Sequence, residues 1–424
     1  MERYSSYKTT SIQWLKEIPS HWECVRIKNI LKESQQTTID GKEEQLSVTQ
    51  SFGIIRSIDA KISNPPSSTL GWKIVKRNDI VFNKYKAHSG VFFASQYDGI
   101  VTFNYSVYNC FNNCNPKYYE LLFHTDSCIG EFRKLMRGVG ESISPLYTAQ
   151  LYTVRIPLPP LAEQKKIVSY LESITSKIEA YVADKEKEIQ LLQELKQKII
   201  AEAVTKGLNP NVKMKDSSIS WLGMIPEHWE MKQLRSFLSL FTEKGHGDAQ
   251  LLSVTREQGV ILRDKDNKEE NHNFVPEDLS GYKYIEKGDF AINKMKAWQG
   301  SYAVSDYCGI VSPAYFTCKL KGVNKDFFSR AIRSKAYVPF FTQYSKGIRV
   351  DQWDLNPNAL KSIPFLLPPV DEQQAIVAYI EEKCQKIDTL ITELQAEIDY
   401  LKEYKQRLIA DVVTGQVNVQ NETI

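Results

Sequence analysis

Late in the chain the positions Ile387, Ile391, Leu394, Ile398, Leu401, Lys405, Leu408 and Val412 follow one another at alternating spacings of four and three. That alternation is the seam of a left-handed coiled coil. A matching series runs through Ile178, Val182, Lys185, Ile189, Leu192, Lys196, Ile199 and Ala203, and both seams keep a lysine at one place, Lys196 and Lys405. Neither Glu163 to Thr205 nor Glu372 to Thr414 contains proline or glycine. Pro159-Pro160 and Pro368-Pro369 stand just upstream, and Ala162-Glu163 and Asp371-Glu372 put carboxylates at the positive end of each helix dipole. The pattern predicts two helices of about 40 residues, each about 60 Å long at 1.5 Å per residue. Elsewhere the apolar runs are short and β-like, as in Asp79–Phe82, Gly90–Ala94 and Asp289–Ile292, bounded by Gly, Asn, Asp and Pro. They mix with helical stretches over Tyr118–Leu135 and Lys325–Tyr337. An α+β module of about 150 residues fits each half.

The helical stretches are copies of one another. From Glu163 to Thr205 and from Glu372 to Thr414, 18 of 43 aligned positions are identical without a gap, including Glu163/Glu372, Gln164/Gln373 and Lys177/Lys386. The repeat reaches further. Trp14-Leu15, then Ile18-Pro19-Ser20-His21-Trp22-Glu23, returns as Trp221-Leu222, then Ile225-Pro226-Glu227-His228-Trp229-Glu230. Leu46–Thr49 matches Leu252–Thr255, Asn83-Lys84 matches Asn293-Lys294, and Gly99–Val101 matches Gly309–Val311. A period this long means two whole modules and not a solenoid. The linear division is 1–155, 156–212, 213–363 and 364–424: module, helix, module, helix. A pseudo-two-fold axis across the helices would pair them antiparallel, with a module at either end. Separate amphipathic helices, each packed on its own module, are the other arrangement such faces allow.

Composition changes this picture little. With 424 residues, 42% hydrophobic and 25% charged, the chain has the content of a globular protein of several domains, and a net charge of +3 does not by itself nominate nucleic acid. The first 30 residues lack the apolar core of a signal peptide and no apolar run spans a bilayer, so a cytoplasmic address without membrane contact is expected. Seven cysteines without a C-x2-C pair read as reduced structural thiols. Cys110 and Cys114 with His124 lack a second ligand pair for zinc. Asn64-Pro65-Pro66-Ser67 has no aromatic after the prolines, and neither a G-x-G-x-x-G fingerprint nor a P-loop occurs. Catalytic and metal sites are therefore not expected on this chain.

The twice-written W-L-x-x-I-P-x-H-W opening, the P-L-P-P-L-A-E-Q and L-P-P-V-D-E-Q helix starts, and the alternation of divergent module with near-identical helix resemble the specificity subunits of Type I restriction-modification enzymes. The likeness spans about Ser11 to Val419. It implies an α+β fold of two globular α/β target recognition domains, joined by two long helices that form an antiparallel coiled coil with an internal pseudo-two-fold repeat. It further implies a non-catalytic chain that binds double-stranded DNA, each module reading one half of a bipartite, asymmetric target. Two methyltransferase subunits and the restriction/translocase subunits are the implied partners. S-adenosylmethionine, ATP and Mg are expected on those partners, with no cofactor on this chain.

Base reading needs cations for phosphates and planar or hydroxyl groups for base edges. The equivalent stretches Asn83–Gly90 and Asn293–Gly300 supply Lys84, Lys86 and Ser89, and Lys294, Lys296 and Gln299. A solvated turn after a strand is the plainer reading. A second pair of stretches supplies Arg137, Lys346 and Arg349 beside glycines that admit close backbone approach; a loop leading back to the helix is the alternative. Trp22 and Trp229, following Ile-Pro, read as core or docking aromatics and not as base-stacking platforms. Leu161, Tyr170, Val370 and Tyr379, near the helix starts, are candidate methyltransferase contacts, with packing against the modules as the other possibility. An unseen enzyme site, or a coiled-coil scaffold that binds only proteins, are the competing functions.

Overall fold

The computed structural model describes residues 2–60, 68–111, 113–136, 145–264, 276–347 and 353–422. The candidates Arg137 and Arg349, and Asn64–Ser67, lie outside them. Two compact units emerge, and they cut across the linear division: Met1–Glu186 with Gln395–Ile424, and Lys187–Leu394. The long helices, Leu161–Lys206 and Val370–Val413, run 46 and 44 residues, so each unit holds one end of both.

In the first unit the strands Leu31–Glu33, Tyr105–Cys110, Ile80–Asn83 and Phe92–Ala94 lie side by side, in that order, as an antiparallel sheet. Leu46–Thr49 and Gly53–Arg56 form a hairpin, and Lys73–Val75 pairs with Gly99–Val101. The second unit repeats this sheet as Leu238–Phe241, Tyr315–Leu320, Phe290–Asn293 and Tyr302–Val304. Its hairpin is Leu252–Thr255 with Gly259–Leu262, and Lys283–Ile285 pairs with Gly309–Val311. The strands just before each long helix, Arg155–Leu158 and Pro364–Leu367, pair with Glu23–Arg26 and Glu230–Gln233. The β-like runs thus become strands within a residue or two of where the pattern puts them.

Neither expected module helix runs its full length: Tyr118–Leu135 is broken in two, and Lys325–Tyr337 stops at Ile332. Pro116–Phe123 ends at His124, and Thr125 caps a new helix, Asp126–Leu135, by accepting the Cys128 N–H. Lys325–Ile332 likewise ends before a separate helix, Val338–Tyr344, which has Pro339 in its first turn. A capping threonine in one case and a proline in the other start a fresh helix where periodicity alone reads on.

The seam is seen in burial. Val182, Ile387, Ile398, Leu408 and Val412 are buried and the remaining seam positions half-buried or buried, while most flanking positions are exposed. In the first unit Ile167 and Leu171 share a core with Leu408, Val412 and Val413; in the second, Ile200, Ala203 and Val204 share one with Ile376, Ile380 and Cys384. Start meets end in each unit, so the pairing is antiparallel. The seam lysines are matched across it. Lys405 bonds Glu179 in the first unit, and Lys196 reaches Asp388 at 2.6 Å in the second. The two pairs occupy equivalent places in the repeat. Being largely solvated they contribute under about 1 kcal/mol each, and their effect is on register more than on stability.

What ties each module to its helices is a glutamate-glutamine pair. Glu163 receives the Trp22 indole N–H on Oε2 at 2.9 Å and faces His21 Nε2 through Oε1 at 2.6 Å. Glu372 does the same with Trp229 at 2.9 Å and His228 at 2.5 Å. Both indoles are fully buried. The next residue turns the other way. Gln164 accepts from the Asn115 N–H at 2.7 Å and donates to the Asn113 and Pro159 carbonyls, each at 2.9 Å. Gln373 accepts from the Asn324 N–H at 3.0 Å and donates to the Pro368 carbonyl at 2.8 Å. Such buried amides are stable because their donors and acceptors are used.

The ends of the long helices complete each tryptophan's pocket. Gly415, at φ +75°, lies so close that an added Cβ would stand 2.5 Å from Pro19 and 2.9 Å from Trp22; Gly207, at φ +72°, leaves 3.1 Å to Trp229. Gly415→Ala should therefore destabilise the first unit by about 2–4 kcal/mol, combining left-handed backbone strain with overpacking. Gly322→Ala, at φ +71° with open space around it, should cost only about 1–2 kcal/mol from the backbone alone. Denaturant unfolding of the two variants checks the difference.

Candidate nucleic-acid interface

The turn after the strand Ile80–Asn83 is set by local chemistry. Asn83 Oδ1 accepts the Tyr85 N–H at 3.0 Å, a short 3-10 turn follows over Ala87–Ser89, and Gly90 closes it at φ 72°. Asn293, Ala297–Gln299 and Gly300 at φ 98° repeat the device. Ala87 and Ala297 are buried, which anchors the turn and leaves Tyr85, Lys86, Met295 and Lys296 exposed. Lys84 and Lys294 sit half-buried at its root, and Ser89 is half-buried at its end.

The two groups of candidates come together in the second unit. The Lys294 carbonyl accepts the Leu355 N–H at 3.0 Å, its ammonium reaches Asp354 at 3.2 Å, and Asp354 exchanges backbone hydrogen bonds with Lys346 at 2.9 and 3.1 Å. Asp354 thus binds the Lys294 ammonium through its carboxylate and Lys346 through its backbone. In the first unit the Lys84 carbonyl holds the Leu146 N–H at 2.9 Å in the same way. Gln299 goes elsewhere: it lines a groove of about 570 Å3 with Arg256, Arg333, Lys196 and Asp388.

Lysines that the sequence reading passed over complete the cluster. Lys283, on the strand Lys283–Ile285, donates to the Tyr315 carbonyl at 2.6 Å. Burial, then the charges of Lys244 and Lys294, draw its ammonium below the usual lysine range. Lys84 is likewise lowered by burial and then by Lys73, with Glu33 opposing. Like charges held together in partly desolvated surroundings favour an anion between them. A signal for these residues was present, since Gly71-Trp72-Lys73 recurs as Gly281-Tyr282-Lys283.

The two cradles place their carboxylates differently. Glu33 accepts from Lys73 at 3.5 Å, Ser106 at 3.0 Å and Thr148 at 2.6 Å. The sheet register puts Leu240 at the corresponding place in the second unit. In the first cradle the carboxylate, Glu33, is on the sheet; in the second that sheet position is Leu240, packed against the core, and the carboxylate is Asp354 on another segment.

A family model described as the Type I restriction modification DNA specificity domain matches residues 19–191. The Type I restriction enzyme MjaVIII specificity subunit of Methanocaldococcus jannaschii is 25% identical over 430 residues, covering 95% of either chain. The chain is thus similar to Type I restriction-modification specificity subunits over nearly its whole length. The EcoKI specificity subunit of Escherichia coli is also 25% identical, over 67% of this chain and 62% of its own length. In fold, the chain matches one from a structure of the type I R-M system with a TM-score of 0.68, at 16% identity over 94% of this chain and 99% of the other. The HsdS subunit from Thermoanaerobacter tengcongensis matches with a TM-score of 0.56, at 16% identity over 96% and 100%. Reading a DNA target is the role of that family, and the lysine cradles of this chain are chemically suited to it.

The four candidate partner residues have unlike surroundings. Tyr170 is 8% exposed within the first unit's core, and Tyr379 packs half-buried against the second unit's core, so both serve packing within their own units. Leu161 is half-buried, whereas Val370 is 62% exposed at the start of the second long helix. Trp22 and Trp229 are core residues whose polar edge is already used. The thiols of Cys110 and Cys114 face each other at 2.8 Å, while His124 packs on Phe93 at 5.0 Å between rings. No helix among the described residues is long and apolar enough to cross a membrane.

Lys283→Ala and Lys294→Ala should each weaken DNA binding by the assembled complex and lower the salt-dependence slope by about 1. Lys84→Ala/Lys86→Ala and Lys294→Ala/Lys296→Ala should act in the same direction, measured by titration across ionic strengths. Unchanged affinity and slope would remove these residues from the interface.

Proposed function

We propose that this chain reads a bipartite, asymmetric double-stranded DNA target, one half-site per module, and catalyses nothing itself. Its long helices recruit two methyltransferase subunits, and restriction/translocase subunits join the assembly. S-adenosylmethionine, ATP and Mg belong to those partners, and the complex works in the cytoplasm. Lys84, Lys86, Ser89, Arg137, Lys294, Lys296, Gln299, Lys346 and Arg349 are the proposed DNA contacts, joined by Lys73 and Lys283. The observation that carries the reading is a pair of modules with the same sheet order and the same turn, whose cradles differ at Glu33 and Leu240. A carboxylate at that sheet position accepts from base amino groups and repels phosphate where a leucine does neither, and the second module's carboxylate, Asp354 beside Lys294, stands on another segment. Two such cradles suit two different half-sites.

The test is to map methylated adenines across a genome in which this chain is expressed with its methyltransferase. Two short motifs at a fixed spacing are expected, and a continuous palindrome would contradict the reading. Exchanging Met1–Arg155 for the corresponding segment of another family member should change one half of the motif and leave the other.

A further inference from the structure

Beside the clamp the two halves differ. In the first, Tyr4 covers it: the ring centroid lies 5.7 Å from that of His21 and 5.8 Å from that of Trp22, and the hydroxyl donates to Glu163 Oε2 at 3.2 Å. Lys166 bonds the Gln420 carbonyl alongside. Only 16% of the Glu163 side chain is left to solvent.

In the second half this cover is absent. Tyr7 pairs with Pro19 as Met214 pairs with Pro226, which puts Asn211 at the place of Tyr4. The helix repeat puts Ala375 at the place of Lys166. Both side chains are shorter. What remains is a cleft of about 240 Å3 walled by Gly207, Asn209, Pro226, His228, Glu372 and Ala375. The Glu372 side chain is 40% exposed there. A cavity of about 150 Å3 holds benzene, so a phenol ring fits, with Glu372 positioned to accept from its hydroxyl. Val370, two residues before Glu372 in the chain, is 62% exposed.

We propose that this cleft is a docking socket for a tyrosine side chain of the methyltransferase subunit, filled in trans as Tyr4 fills its counterpart in cis. Tyrosine suits such a place because it buries a large apolar face and still offers a hydroxyl donor. The inference rests on the partner reading proposed above. The socket exists on one half only, so the two methyltransferase subunits are held unequally.

The probe is p-cresol, the tyrosine side-chain analogue, added to the full chain and followed by ligand-observed NMR. One site is expected on the natural sequence, and none on Asn211→Tyr or Ala375→Trp, two independent ways of filling the cleft. Titration with the methyltransferase subunit should then show affinity for one of two equivalents lowered roughly tenfold or more in either variant. No p-cresol binding to the natural chain overturns the socket. So does a variant that excludes p-cresol, keeps the natural unfolding midpoint and binds both equivalents undiminished, while the function proposed above then stands. A natural chain that binds no methyltransferase subunit overturns both.

Discussion

One carboxylate in each half accepts an indole N–H and faces an imidazole, and the rest of the molecule is arranged around that contact. Glu163 and Glu372 lie in the first turn of a long helix, where the helix dipole favours a negative charge. Each is thereby suited to bind the buried tryptophan that opens its module. The neighbouring Gln164 and Gln373 bond the loop that enters the first module helix. Two adjacent side chains, pointing in different directions, thus tie the opening segment, the sheet-to-helix loop and the long helix together. A buried indole deprived of its acceptor would cost about 1–3 kcal/mol, which explains why the His-Trp and Glu-Gln pairs occur together in both halves.

With the framework held in this way, single sheet positions can differ between modules without disturbing the strand register. Glu33 and Leu240 occupy one sheet position and have opposite chemistry, yet the strands around them keep the same register. The division of labour is physical: clamp and seam determine the fold, while the turn tips are exposed and the lysines at their root and on the strands are partly buried.

Much of this was legible in the sequence because it is written twice. The helices, their seam and the equivalence of the lysine-bearing turns followed from periodicity and from the repeat. The contact between His21-Trp22 and Glu163 did not, although both motifs stood out, since nothing local joins residues 141 positions apart. The broken module helices were missed because one capping threonine and one proline outweigh an otherwise continuous pattern. Lys73 and Lys283 are hard to read from sequence because their shared signal, Gly-aromatic-Lys, is shorter than the Asn-Lys stretches. Tyr170 looked available for a partner because helix position is visible in sequence and burial by a distant segment is not.

The most direct test of the clamp is a double-mutant cycle read by denaturant unfolding, with Trp22→Phe against Glu163→Gln in one half and Trp229→Phe against Glu372→Gln in the other. The account predicts a coupling of about 1–2 kcal/mol in each half, of similar size in both. Additivity within about 0.3 kcal/mol in either half would contradict it.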